Sequence, residues 1–136
     1  MNIQYIENNS FKEYEIKTLY DDVKWTAYTK DMPRLLSAIK NSLAVITAWD
    51  NENLVGLIRV VGDGLTIIYI QDILVLQNYQ NEGIGSELMK RILYKYQDVR
   101  QKVLLTNDAA NVRAFYEKNG FNSCDNGDLV SFAKID

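Results

Sequence analysis

The sequence predicts an α+β fold: a mixed, mostly antiparallel twisted sheet with helices on its faces. Two observations carry this. Leu43–Trp49, Leu54–Val61 and Leu65–Leu76 are strand-like runs in succession, divided by Asp50-Asn51-Glu52-Asn53 and Gly62-Asp63-Gly64, and read as an antiparallel meander. The pattern then changes to strand, helix, strand, which requires a locally parallel pair. The chain has 136 residues, 47% of them apolar and 11% aromatic, enough for a single domain over 1–136 with its own core.

The elements follow in order. Asn2 to Glu7 can form a first strand. Phe11, Tyr14, Ile16, Leu19, Tyr20 and Val23 fall close to helical spacing, so 11–23 is a helix. Asp31 caps a second helix, with Pro33 in its first turn, where a missing N–H does little harm. Leu35, Leu36 and Ile39 form its inner face. The meander comes next. Ile84, Leu88, Ile92 and Tyr96 then recur every four residues, an apolar stripe on a helix from Gly83 to about Tyr96. A strand over Lys102–Thr106, a helix over Ala109–Lys118, and short strands near Phe121 and over Leu129–Lys134 complete the chain.

Composition excludes several chemistries. There is no histidine, so no Ser/His/Asp triad, Cys/His dyad or histidine metal ligand, and no metal is expected. A net charge of −3 without a basic run argues against nucleic acid. Cys124 is the only cysteine; it cannot form an intramolecular disulfide and has no histidine to activate it, which points to a reducing, cytoplasmic setting. The N-terminus is polar, and no apolar stretch approaches the roughly 20 residues of a membrane span.

Gln80-Asn81-Glu82-Gly83-Ile84-Gly85 lies between a strand end and a helix start. The first N–H groups of a helix lack internal partners, and glycine lets a ligand approach bare backbone. Together they form an anion site suited to a phosphate or pyrophosphate, and it needs no basic side chain. A tight strand-to-helix turn explains the same residues. The Rossmann fingerprint would need a glycine at Leu88, and the Walker motif a Gly-Lys-Ser/Thr that is missing. Downstream, Asn111-Val112-Arg113-Ala114-Phe115-Tyr116-Glu117-Lys118-Asn119-Gly120-Phe121 reads as a short helix stopped by Gly120, with Phe121 folding back.

This pair of motifs, in this order, closely resembles the GNAT superfamily of acetyl-CoA-dependent N-acetyltransferases, and the resemblance extends over the whole chain. It implies that Gln80, Asn81, Glu82, Gly83, Ile84, Gly85 and Ser86 form the pyrophosphate loop of acetyl-CoA. Relatives often carry a basic residue or glycine where Asn81 and Glu82 stand, so Glu82 is expected to face solvent. The resemblance also implies that the cofactor strand splays from its parallel neighbour, with Leu74, Val75 and Leu76 offering main-chain groups to the pantetheine arm. Asn111 matches the position that bonds the pantetheine or nearby phosphate. Tyr116 matches the acid that serves the departing thiolate; a phenol with pKa near 10 can donate to a thiolate whose thiol sits near 8.5.

The acceptor is expected to be a small-molecule or peptide amine. Asp72, among apolar neighbours, is either the general base or a structural carboxylate. Trp25 and Tyr28 lie in the segment that forms one acceptor wall in this family; either they stack on a substrate while Asp21 or Asp22 attracts a cation, or the segment is a solvated acidic helix end with packed aromatics. Arg59, inside an apolar strand, either reaches the acceptor cleft or pairs with an acid. The family resemblance fits a homodimer as well as a monomer. A CoA-binding module without turnover is the alternative to an enzyme; a nucleotide-phosphate binder is disfavoured by the missing Walker and Rossmann residues.

Overall fold

The computed structural model describes residues 2–8 and 10–136. Its elements are β1 (Ile3–Glu7), α1 (Glu13–Asp22), α2 (Thr26–Thr29), α3 (Met32–Lys40), β2 (Ala44–Asp50), β3 (Asn53–Gly62), β4 (Ile67–Val75), α4 (Ile84–Lys95), β5 (Gln101–Val103) and α5 (Ala110–Lys118), with 3₁₀ turns at Gln77–Tyr79 and Cys124–Asn126. Two compact units divide the chain, 1–105 and 106–136.

The first unit holds a five-stranded sheet in the order β1-β2-β3-β4-β5. The first four strands pair antiparallel and β5 joins β4 in parallel. This is the mixed sheet expected from the meander and the strand–helix–strand change. One face carries α1 and α3: Ile16, Leu19, Tyr20, Leu35 and Ile39 pack with Val45, Leu57 and Leu74. The entry of α1 is fixed by Glu15, whose carboxylate accepts the Lys12 N–H at 3.0 Å. Asp31 accepts the Arg34 N–H at 3.2 Å and caps α3 as its side chain predicts.

The other face carries α4, whose buried stripe is Ile84, Leu88, Met89 and Ile92. Gly56 on β3 lets this helix sit close. A Cβ there would lie 3.3 Å from both Ile84 and Leu88 and 3.4 Å from the Leu74 carbonyl. Alternation along β3 aims Gly56 at α4 and Leu57 at α1 and α3.

The second unit contains α5, which ends as its sequence requires. Gly120 takes φ +91°, the Phe121 N–H reaches the Tyr116 carbonyl at 3.0 Å, and the Gly120 N–H reaches Glu117 at 3.1 Å. Arg113 binds Asp108 at 2.7 Å and Asp125 at 2.9 Å, folding the following turn back on the helix.

Two strand expectations are corrected. The strand expected over Lys102–Thr106 is shorter and earlier, Gln101–Val103. The segments near Phe121 and over Leu129–Lys134 form no strand among the described residues. A run of strand-prone residues becomes a strand only when a neighbouring backbone accepts the hydrogen bonds. Here Arg113 and the 3₁₀ turn engage 123–126, and the segment beyond lies open, with Phe132 95% exposed.

The close approach of α4 predicts that Gly56→Ala lowers unfolding free energy by about 1–3 kcal/mol through overpacking. Denaturant unfolding followed by circular dichroism measures this.

Candidate active site

β4 is paired with β3 along its length but with β5 only at Ile67, Ile68 and Tyr69. Beyond Tyr69 it has no strand partner on that side among the described residues. The register with β3 also shifts here: Arg59 faces Asp72 and Val60 faces Ile70, so Gln71 is an extra residue in β4. Such a bulge turns a strand and re-aims its side chains. The sheet therefore opens where β4 bends.

Asp72 sits at the bend and is 2% exposed. Its Oδ2 accepts from Arg59 Nε at 2.8 Å and from the Tyr20 hydroxyl at 2.9 Å; its Oδ1 accepts from the Tyr28 hydroxyl at 2.8 Å. Gln71 Nε2 donates to the Tyr28 oxygen at 2.9 Å. Burial draws the Arg59 guanidinium down, but the charge and hydrogen bond of Asp72, helped by the two phenols, raise it overall. Burial, then Asp72, pushes the Tyr20 phenol far up; burial likewise raises half-buried Tyr28. All three donors stay protonated at neutral pH. Of the two readings for Arg59, pairing with an acid is the one seen.

Trp25 and Tyr28 meet Tyr20 in an edge-to-face cluster, with centroids 6.1 and 5.3 Å from its ring. Both keep part of their surface open. Asp22 ties this wall to the end of β4 by accepting the Gln77 N–H at 2.7 Å.

The expected loop follows. Gly83 caps α4 in the left-handed region, φ +85°, and a Cβ there would meet nothing within 4 Å. Asn81 is also left-handed, at φ +65°. No side chain caps α4, so the first-turn N–H groups around Ile84, Gly85 and Ser86 remain available. Glu82 is exposed. A helix end contributes about 0.3–2 kcal/mol to an anion, and each N–H bond to a charged group about 1.5–3 kcal/mol, so direct bonds dominate. This arrangement fits a diphosphate.

Leu74, Val75 and Leu76 differ in what they can offer. The Leu76 N–H donates to the Val55 carbonyl at 2.9 Å and its carbonyl accepts from Tyr79 at 2.8 Å. Alternation then turns Val75 and Ile73 toward the open side. The Val75 carbonyl accepts from Gln80 Nε2 at 3.0 Å, so Gln80 folds back on the strand end.

The acetyltransferase (GNAT) domain model matches residues 41–123, which hold β2 to β5, the glycine loop and α5. The chain belongs to the GNAT acetyltransferase family. A GNAT-family acetyltransferase from Streptococcus pneumoniae TIGR4 superposes with a TM-score of 0.88 at 32% identity, over 99% of this chain and 98% of that one. An uncharacterized N-acetyltransferase, ycf52-like, from Prochlorococcus marinus is 28% identical over 123 residues, 87% of this chain and 67% of its own. An aminoglycoside N-acetyltransferase, AAC(6')-Iy, solved with CoA, shares the fold at a TM-score of 0.73 and 13% identity, over 98% and 95% of the two chains.

In this GNAT chain the second unit carries Asn111, exposed in the first turn of α5, and half-buried Tyr116. Burial raises the Tyr116 phenol, and a hydrogen bond with Thr106 draws it partly back. Cys124 is free and exposed. No cluster of three metal-binding side chains occurs among the described residues, and no helix there is long and apolar enough to cross a membrane.

Sequence reasoning missed Tyr20 and Gln71. Tyr20 falls in the apolar stripe of α1, and nothing in that periodicity marks its hydroxyl. Gln71-Asp72, two polar residues in succession within a strand, breaks the period of two and is the legible sign of a bulge.

Arg59→Met should lower unfolding free energy by about 3–5 kcal/mol, because it leaves Asp72 buried without its cation. Adding Asp72→Leu should recover a good part of that loss. Denaturant titration of the two single variants and the double variant measures the coupling.

Proposed function

We propose that this protein transfers the acetyl group of acetyl-CoA to a primary amine by direct attack within a ternary complex. The observation that supports it most is the parting of β4 from β5 beside a bulge, followed after one 3₁₀ turn by the uncapped, left-handed start of α4. Val75 and Ile73 offer main-chain groups to an extended arm, by the same edge pairing that adds a strand to a sheet. Gly83, Ile84, Gly85 and Ser86 offer N–H groups to a diphosphate. Acetyl-CoA, when bound, supplies a thioester carbonyl.

The amine must be neutral to attack; at pKa near 10.4 this costs about 4–5 kcal/mol at pH 7. The nitrogen lone pair forms the C–N bond as the C–S bond breaks toward sulfur. The ammonium loses one proton before attack and the nitrogen a second as the amide forms. The departing sulfur takes one, so one proton per turnover reaches solvent. Tyr116, matched by its motif, is the donor to sulfur, and Asn111 a contact for the arm. Its raised phenol keeps that proton available throughout the neutral range.

Asp72 was expected to be either the base or a structural carboxylate. Its burial and three donors favour a positioning role: it fixes the hydroxyl of Tyr28 beside the bend. Trp25 and Tyr28 then form the acceptor wall, and Arg59 acts through Asp72. The lone thiol Cys124 suits a reducing compartment such as the cytoplasm.

Thiol release from acetyl-CoA in the presence of amines tests transfer; its absence with every amine, in protein that binds acetyl-CoA, supports the module without turnover. Tyr116→Phe should lower kcat more than about tenfold while acetyl-CoA binding is unchanged. In the parent, kcat should show no alkaline loss below about pH 10, because the Tyr116 phenol titrates above its ordinary value. Gly83→Ala places a methyl in the open space of the loop and strains a left-handed residue by about 1–2 kcal/mol. It should weaken acetyl-CoA binding about tenfold or more, read by calorimetry.

A further inference from the structure

The open edge of β4 is partly covered by the chain itself. Its outward main-chain groups near the strand end belong to Ile73 and Val75, and Gln80 Nε2 donates to the Val75 carbonyl at 3.0 Å. A carbonyl only accepts, so Gln80 presents the NH2 end of its amide there. An added strand, or an extended ligand with an amide N–H, would make the same bond at the same place.

The backbone beneath Gln80 is held without this bond. The 3₁₀ turn at Gln77–Tyr79 is closed by the Tyr79 N–H on the Leu76 carbonyl at 2.8 Å and the Gln80 N–H on the Gln77 carbonyl at 3.3 Å. The turn is pinned from outside by the Gln77 N–H on Asp22 and the Tyr79 hydroxyl on Asp50, each at 2.7 Å. The Gln80 side chain is different. It is exposed, and its amide makes a single neutral hydrogen bond among the described residues. Such a bond contributes little net, because solvent can replace either partner. A contact that the turn does not need, and that is easily exchanged, suits a cover rather than a prop. It also blunts an unpaired sheet edge, which otherwise invites pairing with other chains.

On the acetyl-transfer reading above, we infer that Gln80 is an internal stand-in for the arm of acetyl-CoA. Its side-chain amide occupies the Val75 carbonyl until an amide N–H of the arm takes that carbonyl and turns Gln80 out to solvent. Binding of the arm is therefore an exchange of one amide donor for another, and the Gln80 contact lowers the affinity for any ligand that carries the arm. A ligand with the diphosphate and no arm leaves Gln80 in place.

Calorimetric titration of acetyl-CoA and of 3′-phospho-ADP, the same carrier without its arm, into the parent and Gln80→Met tests this. Methionine keeps the length of the side chain and lacks the donor. Gln80→Met should bind acetyl-CoA about three- to tenfold more tightly, and 3′-phospho-ADP within about twofold of the parent. In the parent, the side-chain amide signals that vanish in Gln80→Met report Gln80 by NMR. They should move to the position of a solvated glutamine with acetyl-CoA and not with 3′-phospho-ADP. Weaker binding of both ligands by Gln80→Met makes Gln80 a prop of the loop and overturns the exchange. So does an unchanged affinity for acetyl-CoA, an equal gain for 3′-phospho-ADP, or a Gln80 amide that stays in place when acetyl-CoA binds. Failure of the parent to bind acetyl-CoA at all overturns instead the reading beneath it.

Discussion

Asp72 carries a charge into the sheet interior, and the geometry around β4 is arranged to match it. A buried carboxylate without partners is far more costly than any single packing defect. Four segments contribute to its relief: Arg59 from β3, Tyr20 from α1, Tyr28 from α2, and Gln71 from β4 itself through Tyr28. These bonds tie both helical segments to the strand at the residue where its register with β3 shifts. The bulge and the aromatic wall therefore meet at one buried charge and its donors, beside the place where β4 leaves β5.

What the opening offers follows from the main chain rather than from charged side chains. Past Tyr69 the outer edge of β4 has no strand partner among the described residues, and the strand leads through a 3₁₀ turn into a left-handed glycine and an uncapped helix. A protein of net charge −3 can in this way present a local field to an anion. Gly56 completes the arrangement from below by letting Ile84 and Leu88, in the first turns of α4, press onto β3. The end of the helix that faces the loop is thus seated on the sheet.

Much of this was legible in the sequence because it depends on local rules. The meander, the cap at Asp31, the apolar stripe of α4 and the stop at Gly120 each follow from residues close together in the chain. The glycine loop and the Tyr116 helix were recognisable as a pair, and family membership follows from them. The partners of Asp72 were not legible: Tyr20 and Tyr28 are 52 and 44 residues away, and a tyrosine in an apolar stripe does not announce a hydroxyl bond. The bulge at Gln71 was visible only as a broken alternation. The strand reading of 129–134 was misleading for the opposite reason: its apolar residues Leu129, Val130 and Phe132 are strand-prone, but no pairing backbone accompanies them.

The central claim is that main-chain groups at two places, the open edge of β4 and the start of α4, hold acetyl-CoA. Amide hydrogen exchange with and without acetyl-CoA tests this at the residues concerned. The account predicts slowed exchange at Ile73 and Val75 and at Gly83 to Ser86 when acetyl-CoA is added. Unchanged exchange at both places, with protection gained elsewhere or nowhere, would contradict it.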